Sequence, residues 1–94
     1  MDFEWNLEKS TQNLRKHGVS FEEASSVFFD PMAATIPDPL HPDPNEERFI
    51  TLGYSGLHRM IVVVHCDRGD SIRIISARRA TRRERKQYEE GVAT

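Results

Sequence analysis

The chain has 94 residues and a mass of 10.9 kDa, the length of one domain spanning 1–94. With 37% hydrophobic and 30% charged residues the core is small, and the longest apolar run, Met60 to Val64, falls far short of the roughly 18 residues of a membrane span. The single Cys66 excludes an internal disulfide framework, and the start Met1-Asp2-Phe3-Glu4 lacks a signal-peptide pattern, so a cytoplasmic chain with no membrane partner is expected.

In chain order, Phe3-Glu4-Trp5 alternates apolar and polar and reads as a short strand. Asn6 is an N-cap for a helix over Leu7 to His17, stopped by Gly18. Leu7 and Leu14 fall on one side of that helix and are expected to face the core, which turns Lys9, Asn13, Lys16 and His17 outward or toward a cleft. Ser20 and Glu23 form a capping-box pattern that opens a second helix to about Phe29, with Phe21, Ala24, Val27 and Phe28 buried. Asp30-Pro31 ends it. Residues 37–44 hold four of the five prolines and predict an exposed loop. Arg48 to Tyr54 is the next strand, followed by a turn at Ser55-Gly56. Arg59 to Cys66 is a β-branched central strand, Asp67 to Asp70 a hairpin turn, and Ser71 to Ala77 the returning strand. Thr81 and Glu84 form a second capping-box pattern, starting a helix that ends near Gly91. The sum is an α+β fold: a short N-terminal strand and two helices, an antiparallel sheet of three to four further strands, and a C-terminal helix.

The formal charge of −2 conceals an asymmetry. Residues 1–50 carry four basic and ten acidic side chains, whereas 51–94 carry nine basic and five acidic. Between Arg73 and Lys86, six arginines and one lysine face a single acid, Glu84. Basic side chains at a helix N-terminus oppose the helix dipole, so a polyanion is a better reason for them than helix stability. Guanidinium forks beside free backbone N–H groups suit a phosphate. A merely solvated helix surface is the competing explanation. Tyr88 shares a helix face with Glu84 and Arg85, and is either a site residue or a half-buried anchor. His58 and His65 lack the Cys or carboxylate spacing of a metal site, Cys66 reads as a core filler, and no phosphate loop or HExxH pattern occurs, so no metal or cofactor is expected.

Two segments resemble the BrnT family of bacterial type II toxins. The first runs from Trp5 through Lys9, Asn13, Lys16-His17-Gly18 and Phe21-Glu22-Glu23-Ala24; the second is Ile74 to Thr81 with Glu84-Arg85-Lys86 and Tyr88. The resemblance implies a RelE-like fold and an endoribonuclease that inhibits translation, with the ribosome as an expected partner. It also implies a BrnA-type antitoxin and a hetero-oligomer of two toxin and two antitoxin chains. Metal-free cleavage of RNA needs an activated 2′-hydroxyl, a stabilised phosphorane and a protonated leaving group. Arg78 and Arg79 are the candidates for phosphate stabilisation, supported by Arg82 and Arg85; Tyr88 and His17 are alternatives for proton transfer; Lys16 and Arg59 are candidates for positioning RNA. A histidine is well poised for that work, whereas a tyrosine would need its pKa depressed by neighbouring arginines. Glu84 is more simply a capping residue than a catalytic one. The alternative function is a non-enzymatic nucleic-acid- or partner-binding module built on the same Arg73–Lys86 segment.

Overall fold

Local sequence accounts for the ends of the first helix. In the computed structural model, which describes residues 1–39 and 46–90, α1 spans Leu7–His17. The Asn6 side chain accepts the Lys9 N–H, and Gly18, at φ 72°, closes the helix by donating its N–H to the Leu14 carbonyl. The helix α2 follows at Phe21–Ser26 and tightens into a 3₁₀ turn at Val27–Phe29, shorter than the single helix expected to reach Phe29. Phe21, Ala24 and Val27 are buried and Phe28 packs against them, as their spacing requires.

Five strands form one sheet: β1 (Asp2–Glu4), β2 (Ala34–Pro37), β3 (Arg48–Tyr54), β4 (Met60–Arg68) and β5 (Ser71–Arg79), in the spatial order β1-β5-β4-β3-β2. The strands after the helices are antiparallel as expected, and the N-terminal strand joins them in parallel, which makes the sheet mixed. β2 to β5 form an antiparallel meander, but β1 lies parallel to β5, with Phe3 opposite Ile72. Trp5 lies outside β1, where its ring meets Phe21 edge-on at 6.1 Å. β4 and β5 pair beyond their expected ends, which shrinks the hairpin turn to Gly69-Asp70 and takes Arg78 and Arg79 into the strand. The ladder between them carries one irregularity, at Val64/His65. Pro37, expected in an exposed loop, instead ends the edge strand β2, where a missing N–H costs no ladder bond; Asp38 after it is buried, and residues 40–44 of the expected loop lie outside the described residues. The last helix, α3, spans Arg82–Glu89, and the expected stop at Gly91 also lies outside the described residues.

The two faces of the sheet differ. One packs on α1 and α2 through Val19, Phe21, Ala24, Val27, Ile61, Val63, Ile74 and Ala77, with Phe3, Trp5 and Phe28 at the margin. Gly53 belongs to this face, and a Cβ there would meet Ala33, Asp30 and Val27 at 3.0–3.1 Å, so only glycine lets the chain after α2 lie against β3. His65 is buried here between the rings of Phe28 and Phe49, bonded to Thr51 at 2.7 Å and to Asp67 at 3.2 Å. On the other face, α3 lies against β3 at one end of the sheet, and Met60 and Val62 of β4 are buried.

Lys9, Lys16 and His17 of α1 are exposed as expected, but the side that meets the sheet is not the leucine side. Leu7 and Leu14 are 78% and 51% exposed, whereas Asn13 is 7% exposed. Core volume on this side is filled by Phe3, Trp5, Val19 and Phe21 from the segments flanking α1, so the helix itself contributes a polar side chain to the sheet edge. No helix among the described residues is long and apolar enough to cross a membrane.

Candidate active site at the β5–α3 junction

Ala80 continues the ladder by donating its N–H to the Met60 carbonyl, and Thr81 then caps α3. The capping box is complete: the Glu84 N–H donates to Thr81 Oγ1 at 3.2 Å and the Thr81 N–H donates to Glu84 Oε1 at 2.8 Å. The same carboxylate receives both outer nitrogens of Arg78, at 2.9 and 2.8 Å. Arg78, with its caps, holds the Glu84 carboxyl down at about 2, so Glu84 is an anion at any working pH and is not a proton carrier. This bears out its capping role and adds a second: it orients the Arg78 fork, whose side chain remains 43% exposed.

Arg78 and Arg79 point to opposite faces of the sheet, because both lie within a strand. Arg78 stands opposite Val62 on the face that α3 covers, and Arg79 opposite Ile61 on the face of α1 and α2. There the positive charge of Arg79 contributes to lowering the pKa of Glu23. Sequence reasoning that treated the pair as leaving the strand end could not separate them.

Tyr88 reaches across the sheet end on the Arg78 side. Its hydroxyl donates to Asp30 Oδ2 at 2.7 Å, and its ring meets Tyr54 edge-on at 5.3 Å. Burial and the Asp30 carboxylate push the phenol up to about 12, opposite to the depression that a base would require. Despite partial burial, Asp30 is held low by the N–H groups of Tyr54 and Met32 and by Tyr88, which makes it the fastening point of α3. Arg82 and Arg85 project from α3 into solvent, as do Arg83 and Lys86.

The remaining candidates gather at the other corner. His17 and Lys16 are exposed in the last turn of α1. Arg59 anchors the adjoining turn: it donates to the Gly18 carbonyl at 2.9 Å, and its Nε and one outer nitrogen grip the Glu23 carboxylate, which also accepts from Ser55 Oγ at 2.7 Å. Arg59 and Ser55 hold Glu23 below the usual carboxylate range against its burial. The candidates therefore form two groups, Arg78 with Tyr88, Arg82 and Arg85, and Arg79 with His17, Lys16 and Arg59, on either side of one strand end.

Sequence reasoning missed three residues that build this arrangement: Asn13, Glu23 as an ion-pair partner, and Asp30. Apart from Val19 for Asn13 and Met32 for Asp30, their partners lie 24 to 64 positions away, at distances no local pattern encodes. No signal marked Asn13 for burial, since its neighbours along the helix face are Lys9, Ser10, Lys16 and His17. Among the described residues, no cluster of three His, Cys, Asp or Glu side chains is arranged to hold a metal ion.

A family model described as the ribonuclease toxin, BrnT, of type II toxin–antitoxin systems matches residues 5–84. The fold is similar to the crystal structure of the Brucella abortus ribonuclease toxin, BrnT, with a TM-score of 0.67 and 24% identity, over 87% of this chain and 99% of that one. No curated protein gives a significant match.

Proposed function

The chain belongs to the BrnT family of ribonuclease toxins of type II toxin–antitoxin systems, and from that premise we propose that it cleaves RNA without a metal ion, with the scissile phosphate at the β5–α3 junction. The observation that carries this reading is Arg78, half-exposed and pre-oriented by a carboxylate that is itself fixed in a capping box. A guanidinium held in place before substrate arrives costs little reorganisation when charge builds on the phosphorane. Arg79 supplies a second positive charge from the opposite face, and Arg82 and Arg85 extend the positive surface along α3 for flanking phosphates.

Proton transfer falls to His17 in this reading. Tyr88 keeps its proton and is spent on Asp30, so it fastens α3 and, at most, donates. Lys16 tracks the RNA backbone; Arg59 acts through Gly18 and Glu23 rather than by free contact. Cleavage proceeds by attack of the 2′-hydroxyl on the adjacent phosphorus with expulsion of the 5′-oxygen, leaving a 2′,3′-cyclic phosphate. In the cell the consequence is inhibited translation, on free or ribosome-bound RNA. A BrnA-type antitoxin neutralises the activity in an assembly of two toxin and two antitoxin chains.

The test is cleavage of defined RNA, alone and on translating ribosomes, in excess EDTA. Cyclic-phosphate ends that disappear with Arg78→Ala are expected. Abolition by EDTA overturns metal independence. Binding without cleavage, weakened by Arg78→Ala with a salt slope smaller by about one, establishes the non-enzymatic binding module instead.

A further inference from the structure

One buried side chain joins the two groups of candidate residues. Both polar atoms of Asn13 are used: Nδ2 donates to the Val19 carbonyl at 2.9 Å and to the Ala77 carbonyl at 2.8 Å, and Oδ1 accepts the Ala77 N–H at 3.1 Å. Exchange of both bonds with one residue is what a neighbouring strand would provide. It is needed here because β1 runs alongside β5 only as far as Arg73, which leaves the outer edge of β5 beyond it to be satisfied by α1.

The three acceptors and donors lie at informative places. Ala77 immediately precedes Arg78 and Arg79, and Val19 follows His17-Gly18 by one residue. Asn13 itself sits one helical turn before His17. The amide thus fixes the strand that carries the arginines against the turn that carries the histidine. Arg59 holds the same turn from the other side through the Gly18 carbonyl.

We propose that Asn13 is a positioning residue for cleavage, setting the separation between His17 and the Arg78–Arg79 segment. The proposal rests on the reading of the site given above. A buried asparagine with a purely structural role would support stability and leave the cooperation between His17 and the arginines untouched. A positioning role makes the two inseparable, because a misplacement near 1 Å costs on the order of a hundredfold in rate.

Asn13→Ala deletes the amide, and Asn13→Gln keeps its donors and acceptor but displaces them by one methylene, so the second variant is informative if the first fails to fold. Each is measured for thermal midpoint, RNA affinity and single-turnover cleavage at saturating RNA, alone and combined with His17→Ala. The expected result is a rate lower by about tenfold or more with affinity within roughly twofold of the parent, and a His17→Ala effect that shrinks by about tenfold in the Asn13→Gln background. Wild-type cleavage by a folded Asn13→Gln protein, or losses that simply multiply, overturns the positioning role while leaving the site intact. A parent whose cleavage is indifferent to both His17→Ala and Arg78→Ala overturns the site itself, and the role of Asn13 with it.

Discussion

The same four-residue pattern, Ser/Thr-x-x-Glu, opens α2 at Ser20 and α3 at Thr81, and the two glutamates do different things. In both, the hydroxyl accepts the N–H three residues on, at 3.0 Å for Ser20 and 3.2 Å for Thr81. At Thr81 the glutamate completes the box and still has room for Arg78, because two oxygens with several lone pairs can serve a backbone N–H and a guanidinium together. At Ser20 the glutamate turns away from its own helix and is claimed by Arg59 and Ser55 across the fold, leaving the box half made. Burial separates the cases: the Glu23 side chain is 4% exposed and that of Glu84 27%. A carboxylate with no water must collect its compensation from charged and hydroxyl donors, and a single amide is too little. One pattern therefore signals a helix start in both places, but the glutamate serves the core in one and the candidate phosphate site in the other.

Breaking the two pairs should separate these roles. Glu23→Ala has the larger effect on stability, expected at about 2 kcal/mol by denaturant unfolding, since Ser55 and Arg59, which also holds the Gly18 carbonyl, lose their common partner. Glu84→Gln costs less, about 1 kcal/mol, because the site is wetter and the amide still accepts the Thr81 N–H. Its signature lies in cleavage: an Arg78 fork without its anionic clamp should raise the KM for RNA or lower kcat, where Glu23→Ala acts chiefly through stability.

Acid sharpens the contrast. A carboxyl lowered in the folded state contributes stability above its unfolded value and loses it as pH falls through the folded one. For Glu84 that window runs from 4.5 down to about 2, and Glu84→Gln should flatten the unfolding free energy across it. His65 produces an earlier step of the same sign. Burial lowers its pKa from 6.5, so the unfolded chain takes up the proton first and stability falls as pH drops below that value. Loss of that step in His65→Gln, followed by calorimetry between neutral pH and 5, checks the assignment.

The smallest effect concerns Glu23 alone. In Arg59→Ala its titration, followed by carboxyl NMR shifts, should move upward. The freed carboxylate should also swing to the Ser20 N–H and close the box. A carboxylate that stays with Ser55 in the variant would mean that the turn, and not the arginine, directs it.

Much of the fold was legible because its signals are local. Asn6, Gly18, Ser20 and Thr81 mark helix ends through bonds no more than four residues long, and the β-branched run from Met60 marks the central strand. The face of α1 was not legible, because what decides it is the unsatisfied edge of β5 some 64 positions away. Two leucines at helical spacing looked like a core stripe, yet the volume they would fill is taken by Phe3, Trp5 and Phe21. The basic cluster and its glutamate cap were readable by composition. That Arg78 and Arg79 part company was not, since it depends on how far β4 extends to pair with β5.

The parallel pairing of β1 with β5 also bears on timing. Phe3 finds its neighbour only at Ile72, so the first strand has nowhere to dock until most of the chain exists. Contacts of such long separation slow folding and hold back closure of the sheet until β5 is made. The segment that closes the sheet is also the one that bears Arg78 and Arg79. A product interrupted before Ser71 has neither a finished sheet nor the two arginines of the proposed site, so on that proposal the site is assembled in the same step that closes the sheet.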